Sequence, residues 1–571
     1  MNSKKEVTGF RLVFGYLGIF MVLIGFLTFV PTILVAFHPE EASALRYFWP
    51  VSAFDIGIGL LLFFTLLFRR PKAPFRRYED SSLLFIVWLL ALLSGAFPFL
   101  LAFIGGDMPN MNFSAAFFES TSAYTSTGQT AFADYVDLPS SYCPYVYCFH
   151  RSLMQFIGGI GLVLVLTMVL GKQGNVALYS AEGHNDKLLP SLGRSSKLIF
   201  GIYSLYTAIG TVVLWLFGLP WFDAVNTSMC ALAGGGMSVR SSNIGFYKNF
   251  EAAELGKMQG AMFPLNSMAV EITVDVLVFL SAISFVLHLL LLTGKLKKLI
   301  RDDELRYMGI IMVGAILTAF FGACQAKSLV DGGAFFEDAA MNLRDSSFTI
   351  IAAGTTSGFV NTSLTDMVQL GRPMIYLCII LMLVGGGAGS TAGGIKQFRI
   401  VICLKSLYYS MRYRFAPSNE INPRVVRRHG KLVDLTPEME KEAFTYTLLF
   451  LCVFMVSVVI LGFVPDYGMI GYDGGKAIMT GLDGITAASF DVASAMSNTG
   501  LSVHNYVDYM SYHPEASHVV FWVLSLDMFL GRLEILPLVY AGKNTFEEAR
   551  YMVAKRVARR RESRTIDPDV I

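Results

Sequence analysis

Residues 112–128 read NFSAAFFESTSAYTSTG, a short amphipathic stretch that ends in the small polar run Thr125-Ser126-Thr127-Gly128. Similar runs close three later stretches, at Ala233-Gly234-Gly235-Gly236, Thr355-Thr356-Ser357-Gly358 and Ser497-Asn498-Thr499-Gly500. We call these the first, second, third and fourth runs. Non-helical backbone is tolerated at membrane depth only where protein buries it or where it lines a water-filled cavity. The four runs therefore predict the walls of one cavity.

The composition is that of a membrane protein with many spans. The chain has 571 residues, of which 54% are hydrophobic and 15% charged, and its formal net charge of +2 does not indicate a nucleic-acid partner. About 20 apolar residues are needed to span a bilayer. Ten candidate spans lie near residues 12–37, 51–68, 82–104, 150–170, 197–218, 266–293, 306–325, 371–400, 443–465 and 518–541. Among seven scattered cysteines, Cys143 and Cys148 share a polar loop, and a disulfide between them stays open.

The distribution of basic residues predicts the orientation of these spans. Lys and Arg cluster in three loops and in the tail, at 69–80, 295–301, 412–428 and 555–561. Cytoplasmic loops carry an excess of Lys and Arg, so we expect both termini in the cytoplasm, in agreement with an even number of spans. Lys4 and Lys5 precede an apolar run without a cleavage site, which indicates a retained helix and not a signal peptide. The opposite loops are acidic. This composition either raises the local cation concentration at the outer mouth or follows only from the scarcity of Lys and Arg in external loops.

The stretches that precede the runs predict an internal repeat. Residues 112–124, 221–232, 341–354 and 484–496 are too short to cross the bilayer, since a helix of that length rises only about 20 Å. We expect each to enter from outside as a half-helix. The predicted fold is an all-α polytopic membrane protein with four repeats of helix, pore half-helix, filter and helix around one pore. We expect an N-terminal two-helix addition at residues 1–79 and a basic cytosolic tail at 546–571. Between them lie the four repeats, at residues 80–185, 186–300, 301–430 and 431–545, of which the third holds a Gly-rich gate loop.

Glycines and hydroxyls in the runs suit the coordination of a dehydrated cation. Rings of carbonyl oxygens replace the hydration shell of K⁺, and glycine permits the backbone turns that aim successive carbonyls. Helix C-termini add partial negative charge, which disfavours anions. We align Gly128, Gly235, Gly358 and Gly500 as filter glycines and regard the second run as the weakest wall, because it has no hydroxyl. The expected metal ligands are Thr125, Ser126, Thr127, Gly128, Gly234, Gly235, Thr356, Ser357, Gly358, Asn498, Thr499 and Gly500.

A glycine-rich stretch interrupts the span after the third run. Residues 385–394 read GGGAGSTAGG. Each interior glycine costs up to about 1 kcal/mol in a helix, so we expect this stretch to unwind into a loop that obstructs the pore below the filter. A phosphate-binding loop is excluded, because Ile395 stands where its lysine is required and no strand precedes it. The candidate gate residues are Gly387, Gly389, Ser390, Thr391, Gly393 and Lys396.

Ionisable residues inside the expected spans are the other candidate functional groups. Arg532 lies deep in the last span, where a guanidinium must face water or a partner. We expect it to form an electrostatic barrier beneath the filter, and an ion pair with Glu534 or Asp527 is the alternative. Asp275 and Asp527 are either cation relay sites or hydrogen-bonded acids that face the bundle.

Several motifs make the chain similar to a known family. They are Phe118-Glu119-Ser120, Arg151-Ser152-Leu153, Gly158-Gly159-Ile160-Gly161, Phe222-Asp223-Ala224, Gly386 to Lys396 and Leu530-Gly531-Arg532-Leu533-Glu534. Together they resemble the Trk/Ktr/HKT superfamily of potassium transporters, most closely its bacterial TrkH membrane subunits. The resemblance implies potassium uptake across the bacterial inner (plasma) membrane, a homodimer and a cytosolic, nucleotide-binding RCK regulatory subunit. It also implies K⁺ as the bound and transported ion, without an organic cofactor, and Gly128 in the first run favours K⁺ over Na⁺.

Two other transport functions are compatible with the sequence. The missing hydroxyls of the second run leave a less selective K⁺/Na⁺ permease open. A cation-coupled secondary transporter also stays open, although it would favour inverted repeats over four units of the same direction. An enzyme or an ATP-driven pump is not indicated, because the sequence offers no nucleophile with its base, metal-ligand cluster or cytosolic ATP domain.

Overall fold

The computed structural model of the chain describes residues 7, 9–69, 77–133, 136, 144–161, 192–253, 257–331, 336, 338–362, 372–415, 424–467, 469–473, 476–479, 482–503, 506–533, 535 and 550. In chain order its α-helices are α1 (Phe10–Phe29), α2 (Leu45–Leu62), α3 (Arg77–Ile104), α4 (Phe113–Tyr124), α5 (Pro144–Ile160), α6 (Leu192–Leu216), α7 (Trp221–Ala233), α8 (Gly245–Ala252), α9 (Ser267–Ser281), α10 (Phe285–Leu292), α11 (Leu296–Ile300), α12 (Asp303–Asp331), α13 (Ala339–Gly354), α14 (Arg372–Val384), α15 (Gln397–Phe415), α16 (Pro437–Gly462), α17 (Gly484–Met496), α18 (Tyr506–Tyr512) and α19 (Pro514–Arg532). Short 3-10 and π segments extend α1 and α2 at Val30–Ala36, Pro39–Ala44 and Phe63–Leu67.

Two small antiparallel hairpins complete the described secondary structure. Strands β1 (Val425–Arg428) and β2 (Lys431–Asp434) pair between α15 and α16. Strands β3 (Met469–Asp473) and β4 (Lys476–Met479) pair between α16 and α17, with an irregularity near Met469. Helices therefore make up almost all of the described fold.

Six described helical stretches are long and apolar enough to cross a membrane, namely Phe10–Ala36, Pro39–Leu67, Ser82–Ile104, Arg194–Leu216, Asp303–Ala326 and Pro437–Gly462. Helices α9 and α10 add a seventh if they count as one span, and α14 includes a shorter apolar stretch, Pro373–Val384. The expected spans at 150–170 and 518–541 continue beyond the described residues. The chain is thus a multi-pass membrane protein, while the total of ten spans stays a prediction.

The candidate span at residues 266–293 is a bent pair of helices in the structure. Helices α9 and α10 meet at an angle of 112°. The break between them is not left unsatisfied, because its carbonyls accept hydrogen bonds from the glycine-rich stretch, with Ala282 O 2.8 Å from Gly387 N and Ser281 O 3.2 Å from Thr391 N. A bent span is tolerated at membrane depth when other protein groups bond the freed backbone in this way.

The four short helices predicted before the runs are confirmed as α4, α7, α13 and α17, which have 12, 13, 16 and 13 residues. Side chains fix where two of them begin. The Asn112 side chain accepts from Ala115 N at 3.1 Å, and the Asp483 side chain accepts from Thr486 N at 3.3 Å. Such N-caps satisfy amide groups that have no partner within the helix.

The packing of these short helices is cyclic. Each contacts one helix that precedes it and one that follows it in the chain, so that α3 and α5 flank α4, α6 and α9 flank α7, α12 and α14 flank α13, and α16 and α19 flank α17. Each also contacts a helix that flanks the preceding short helix, since α5 packs on α7, α9 on α13, α14 on α17 and α19 on α4. The last contact closes the circle.

The first two helices stand beside this circle as a close pair. Gly18 of α1 faces Gly59 of α2, and a Cβ built on Gly18 would lie 2.6 Å from the Gly59 carbonyl oxygen. Small residues allow such a close helix crossing in membranes. Helix α1 also packs on α3, which connects the pair to the rest of the protein.

Candidate functional site

All four short helices end in the same backbone turn. The second residue of each run is left-handed, with φ of 58° at Ser126, 73° at Gly234, 53° at Thr356 and 53° at Asn498. The third residue of each run donates its N–H back across the turn, in the bonds Thr127 to Ser122 O, Gly235 to Cys230 O, Ser357 to Ala352 O and Thr499 to Ser494 O, of 2.8, 3.2, 2.9 and 2.8 Å. This pattern is the Schellman C-cap. Each run therefore begins at a helix C-terminus, which carries partial negative charge.

The turn corrects the alignment of the second run by one residue. The fourth residues Gly128, Gly236, Gly358 and Gly500 all have positive φ, of 103°, 63°, 70° and 102°. Gly235 does not, and its N–H makes the bond that belongs to the third residue of each run. The equivalent glycine is thus Gly236, and the alignment of Gly235 with the other filter glycines is wrong. Three consecutive glycines contain no side chain that marks the register, so the sequence alone does not resolve it.

The four runs touch one another in a closed order. A Cβ built on the glycine at the fourth position of each run would overlap the backbone of the next run: Gly128 meets Gly235 O, Gly236 meets Ser357 O, Gly358 meets Thr499 O and Gly500 meets Thr127 O. No side chain fits at these four positions without movement of the neighbouring run. The expected site residues are therefore brought together in one ring, and glycine is required both for its positive φ and for the close approach.

Hydroxyl groups brace the first and fourth runs in the same way. Oγ1 of Thr125 lies 2.8 Å from Oγ1 of Thr127, and Oγ of Ser497 lies 2.6 Å from Oγ1 of Thr499. The Asn498 side chain then joins the two runs, since its Nδ2 donates to Thr127 Oγ1 at 3.1 Å. The Ser126 hydroxyl is buried without a hydrogen-bond partner among the described residues. The hydroxyls therefore brace these two runs internally, and the Asn498 amide joins the fourth run to the first.

Buried acids hold the chain on the far side of the first and fourth runs. Glu119 and Asp491 each lie six residues before their run. Glu119 accepts from Ala131 N at 2.9 Å and from Arg151 Nε at 2.6 Å. Asp491 accepts from Val503 N at 3.0 Å. An acid six residues before a small polar run is visible in the sequence and marks this bracing, whereas we name Glu119 from the sequence only within a family motif.

In the second and third runs the acid lies ten residues before the run, about one helical turn earlier than in the other two. Asp223 accepts from Arg240 Nη2 at 2.9 Å and from the Tyr247 hydroxyl at 3.0 Å. Asp345 accepts from Lys248 Nζ at 2.6 Å. In every wall a carboxylate on the short helix thus binds the segment that leaves the ring or a neighbour of that segment. This bracing lies outside the predicted site residues.

The glycine-rich stretch between α14 and α15 is not helical, which confirms the expected unwinding. It contacts the underside of three runs. Thr391 Oγ1 donates to Leu232 O at 3.1 Å, just before the second run, and Gly393 N donates to Thr356 Oγ1 of the third run at 2.9 Å. A Cβ on Gly393 would overlap the Ser497 carbonyl oxygen of the fourth run. Its small residues therefore permit the stretch to lie directly against the ring.

The remaining predicted gate residues lie within this stretch. Gly389 O accepts from Phe285 N at 3.1 Å, and Ser390 Oγ donates to Gly387 O at 2.6 Å. Lys396 has a left-handed backbone with φ of 77°, and its Nζ bonds the Ala392 carbonyl. The candidate gate residues thus form one connected turn, which is seated on the break between α9 and α10.

Arg532 reaches this stretch from the end of α19. Its guanidinium donates to Thr391 O at 3.1 Å, to Gly159 O at 2.8 Å and to the Gly158 carbonyl. It therefore bridges the glycine-rich stretch and α5. The alternative partner Asp527 instead accepts from Ser457 Oγ at 2.8 Å, and Glu534 lies outside the described residues.

Asp275 and Cys148 are both at least partly buried. Asp275 is partly buried and follows Glu271 by one turn of α9, and Glu271 pairs with Arg344 at 2.7 Å. Cys148 is a buried free thiol in the structure, whereas Cys143 lies outside the described residues.

Acidic residues at the start of α12 connect the glycine-rich stretch to the hairpin β1–β2. Glu304 Oε1 accepts from Ala388 N at 2.6 Å. Asp303 accepts from Arg427 N at 2.8 Å, and Asp302 accepts from His429 N at 2.6 Å. Burial raises the pKa of the Asp302 carboxyl above its ordinary value, although the hydrogen bond from His429 N lowers it in part. We did not predict this connection, because no motif marks it.

Comparison with known proteins gives consistent matches over most of the chain. Residues 58–552 match the TrkH family, described as cation transport proteins. The chain is 28% identical over 542 residues to an uncharacterized cation transporter of Methanocaldococcus jannaschii, with 94% of this chain and 95% of that protein covered. It is 26% identical over 546 residues to the Trk system potassium uptake protein TrkH of Salmonella typhimurium, with 94% and 99% covered. The crystal structure of the potassium transporter TrkH from Vibrio parahaemolyticus matches with a TM-score of 0.71 at 22% identity, over 93% of this chain and 98% of that chain, which shows a shared fold.

Proposed function

Because the chain belongs to the TrkH family of cation transport proteins, which are not enzymes, we propose that it conducts K⁺ across the plasma membrane through the ring of four runs. Relatives from Salmonella typhimurium and Escherichia coli are named potassium uptake proteins, which supports K⁺ as the ion. The observation that carries the proposal is the closed ring, in which the glycine at the fourth position of each run abuts a carbonyl of the next run. K⁺ is the transported substrate, and no organic cofactor is required.

The proposed filter uses backbone carbonyls from all four walls. Carbonyl dipoles replace the water that a K⁺ ion loses, and the number of such dipoles discriminates among cations. The C-termini of the four short helices also add negative electrostatic potential at the ring, which favours a cation. Three of the left-handed second residues, Ser126, Thr356 and Asn498, are not glycine. A left-handed non-glycine residue costs roughly 1–2 kcal/mol, and because such strain clusters at functional sites, it supports a functional reason for the turn.

The four-repeat architecture is part of the same proposal. It rests on the identical C-caps and on the cyclic packing in which α5, α9, α14 and α19 each contact the next short helix. In this account one short helix and its two flanking helices form each repeat, and α1 and α2 are an addition. The repeat boundaries near residues 80, 186, 301 and 431 follow from it.

The proposed gate is the glycine-rich stretch together with Arg532. Its position against three runs supports an obstructing role, and the guanidinium adds positive charge to that obstruction. Release requires the loss of a few hydrogen bonds, such as those from Arg532 to Thr391 and from Ala388 to Glu304. The net contribution of each hydrogen bond to stability is about 0.5–1.5 kcal/mol. The loss of a few such bonds is therefore comparable with a typical coupling energy of about 1–3 kcal/mol between a regulator and its target.

The regulator enters through the family resemblance. We propose a homodimer that binds a cytosolic, nucleotide-binding RCK subunit, with both termini in the cytoplasm of a bacterial cell. The hairpin β1–β2 lies among basic residues of the chain and contacts Asp302 and Asp303. These residues adjoin Glu304, which binds the gate stretch, and this supports a route by which a cytosolic partner acts on the gate.

A less selective K⁺/Na⁺ permease is the second candidate. The second run supports it, because Ala233, Gly234, Gly235 and Gly236 offer no hydroxyl to the ring. A coupled transporter of organic solutes has no such observation in its favour.

Uptake of ⁸⁶Rb⁺ into liposomes that contain the purified protein tests the proposal. We expect uptake driven by a K⁺ gradient, without ATP or an organic solute, and stronger competition by K⁺ than by Na⁺. Equal competition by the two ions would favour the less selective permease. Absence of uptake by folded, monodisperse protein would contradict conduction altogether.

A further inference from the structure

The amide of Gln155 occupies the place of a side chain that the second run lacks. The third residues of the other runs are Thr127, Ser357 and Thr499, whereas the second run has Gly235. A Cβ built on Gly235 would overlap Nε2 of Gln155 and would lie 2.6 Å from its Cδ. Gln155 belongs to α5, so a helix that adjoins the first run fills space in the wall of the second.

The contacts of this amide connect two neighbouring walls. Its Oε1 accepts from Met237 N at 3.2 Å, and Met237 directly follows Gly236, the fourth residue of the second run. The Cβ that Gly235 lacks would also lie 2.7 Å from the Ser126 carbonyl oxygen, so the amide sits where the first and second runs meet. Gln155 thus holds the backbone of Met237 by a hydrogen bond and fills the space beside Gly235.

An ordinary core residue does not account for this group. Gln155 is fully buried, at 0% exposure, and its Nε2 has no hydrogen-bond partner among the described residues. An unsatisfied buried donor is unfavourable, and an apolar side chain of similar volume would avoid it. Gly235 does not have positive φ, so its backbone conformation does not itself require glycine. The amide, together with the more distant Ser126 carbonyl oxygen, therefore explains the absence of a side chain at position 235.

We propose that Gln155 is the positioning residue of the second wall, which supplies from α5 the polar side chain that the run itself does not have. The inference rests on the proposed conduction of K⁺ through the ring. The second wall is then not the weakest one, because its missing hydroxyl is replaced by an amide that fixes Gly235 and Met237. Loss of the amide leaves the glycine wall free to move and lowers the discrimination between K⁺ and Na⁺.

The first experiment compares Gln155→Met with wild type in liposomes. Met has a similar volume but removes the bond to Met237 N. The net contribution of an ordinary hydrogen bond corresponds to about a five-fold factor in an equilibrium constant. We therefore expect the K⁺/Na⁺ flux ratio to fall about five-fold while K⁺ flux persists. The matched control Met154→Leu, at the preceding residue of the same helix, is volume-conserving and should leave the ratio unchanged.

A second experiment exchanges the two positions. Gly235→Ser alone should disrupt the filter, because its Cβ overlaps the amide, and Gln155→Ala should leave the wall unsupported. The double variant places a hydroxyl in the run and removes the overlap with the amide, which leaves the milder 2.7 Å approach of the new Cβ to the Ser126 carbonyl oxygen. We therefore expect it to regain part of the K⁺/Na⁺ ratio that Gly235→Ser loses.

The outcomes separate this inference from the proposed function. An unchanged K⁺/Na⁺ ratio in folded Gln155→Met, or equal ratios for Gly235→Ser with and without Gln155→Ala, would overturn the role of Gln155. If Gln155→Met does not yield monodisperse protein, the comparison between Gly235→Ser and the double variant decides. Absence of K⁺ flux in the wild-type protein would instead contradict the proposed function.

Discussion

Arg151 and Glu119 form a buried ion pair beside the first run, and its removal is the most sharply defined perturbation of the fold. The Nε to Oε1 distance is 2.6 Å, and the side chains are 2% and 0% exposed. Arg151 also donates to Thr130 Oγ1 at 3.0 Å and to Ser238 O at 3.2 Å, which joins the segments that leave the first and second runs. We predict that Arg151→Met destabilises the protein by about 3–5 kcal/mol, because it leaves a buried carboxylate without its cation.

The assay is a denaturant titration of the detergent-purified protein that yields the free energy of unfolding. Arg46→Met is the matched control, because Arg46 pairs with Asp107 but its side chain is 55% exposed. Exposed pairs contribute about 0–1 kcal/mol, so the control should change little. The double variant Glu119→Gln with Arg151→Met should recover much of the loss, since a neutral amide requires no cation. A loss for Arg151→Met that is no larger than the loss for Arg46→Met would refute the reasoning.

Three further predictions concern the ring and its gate. Gly358→Ser should lower the K⁺/Na⁺ flux ratio, because its Cβ meets the fourth run, whereas Gly314→Ser, on an open helix face, should not; equal ratios would show that Gly358 does not line the filter. Arg532→Ala should increase ⁸⁶Rb⁺ flux by removal of the charge bound to the gate stretch, and a decrease in folded protein would count against an obstructing role. Glu304→Ala should also increase flux, since the gate stretch loses a buried bond of 2.6 Å, and unchanged flux would exclude that bond from gating.

Local signals in the sequence predict the short helices and the unwound stretch. Short stretches that end in a small polar run are sufficient to predict α4 and α17, and the structure adds the caps Asn112 and Asp483. The glycine density of residues 385–394 is likewise sufficient to predict loss of helix. Both depend on backbone preferences that act within a few residues, so they can be read without tertiary information.

Features that depend on distant contacts are not predicted. The bend between α9 and α10 requires the hydrogen bonds from Gly387 and Thr391, which are about a hundred residues away in the chain. The register of the second run depends on which glycine has positive φ, and consecutive glycines look alike in sequence. Gln155 is absent from the predicted site because its relevance arises only where α5 meets Gly235.

Crystallographic location of Tl⁺, a heavy surrogate of K⁺, tests the central claim most directly. We predict anomalous density enclosed by the four runs, between the third and fourth residues of each, and its displacement by K⁺ more readily than by Na⁺. Strong Tl⁺ density confined to other parts of the protein, with none inside the ring, would contradict the account.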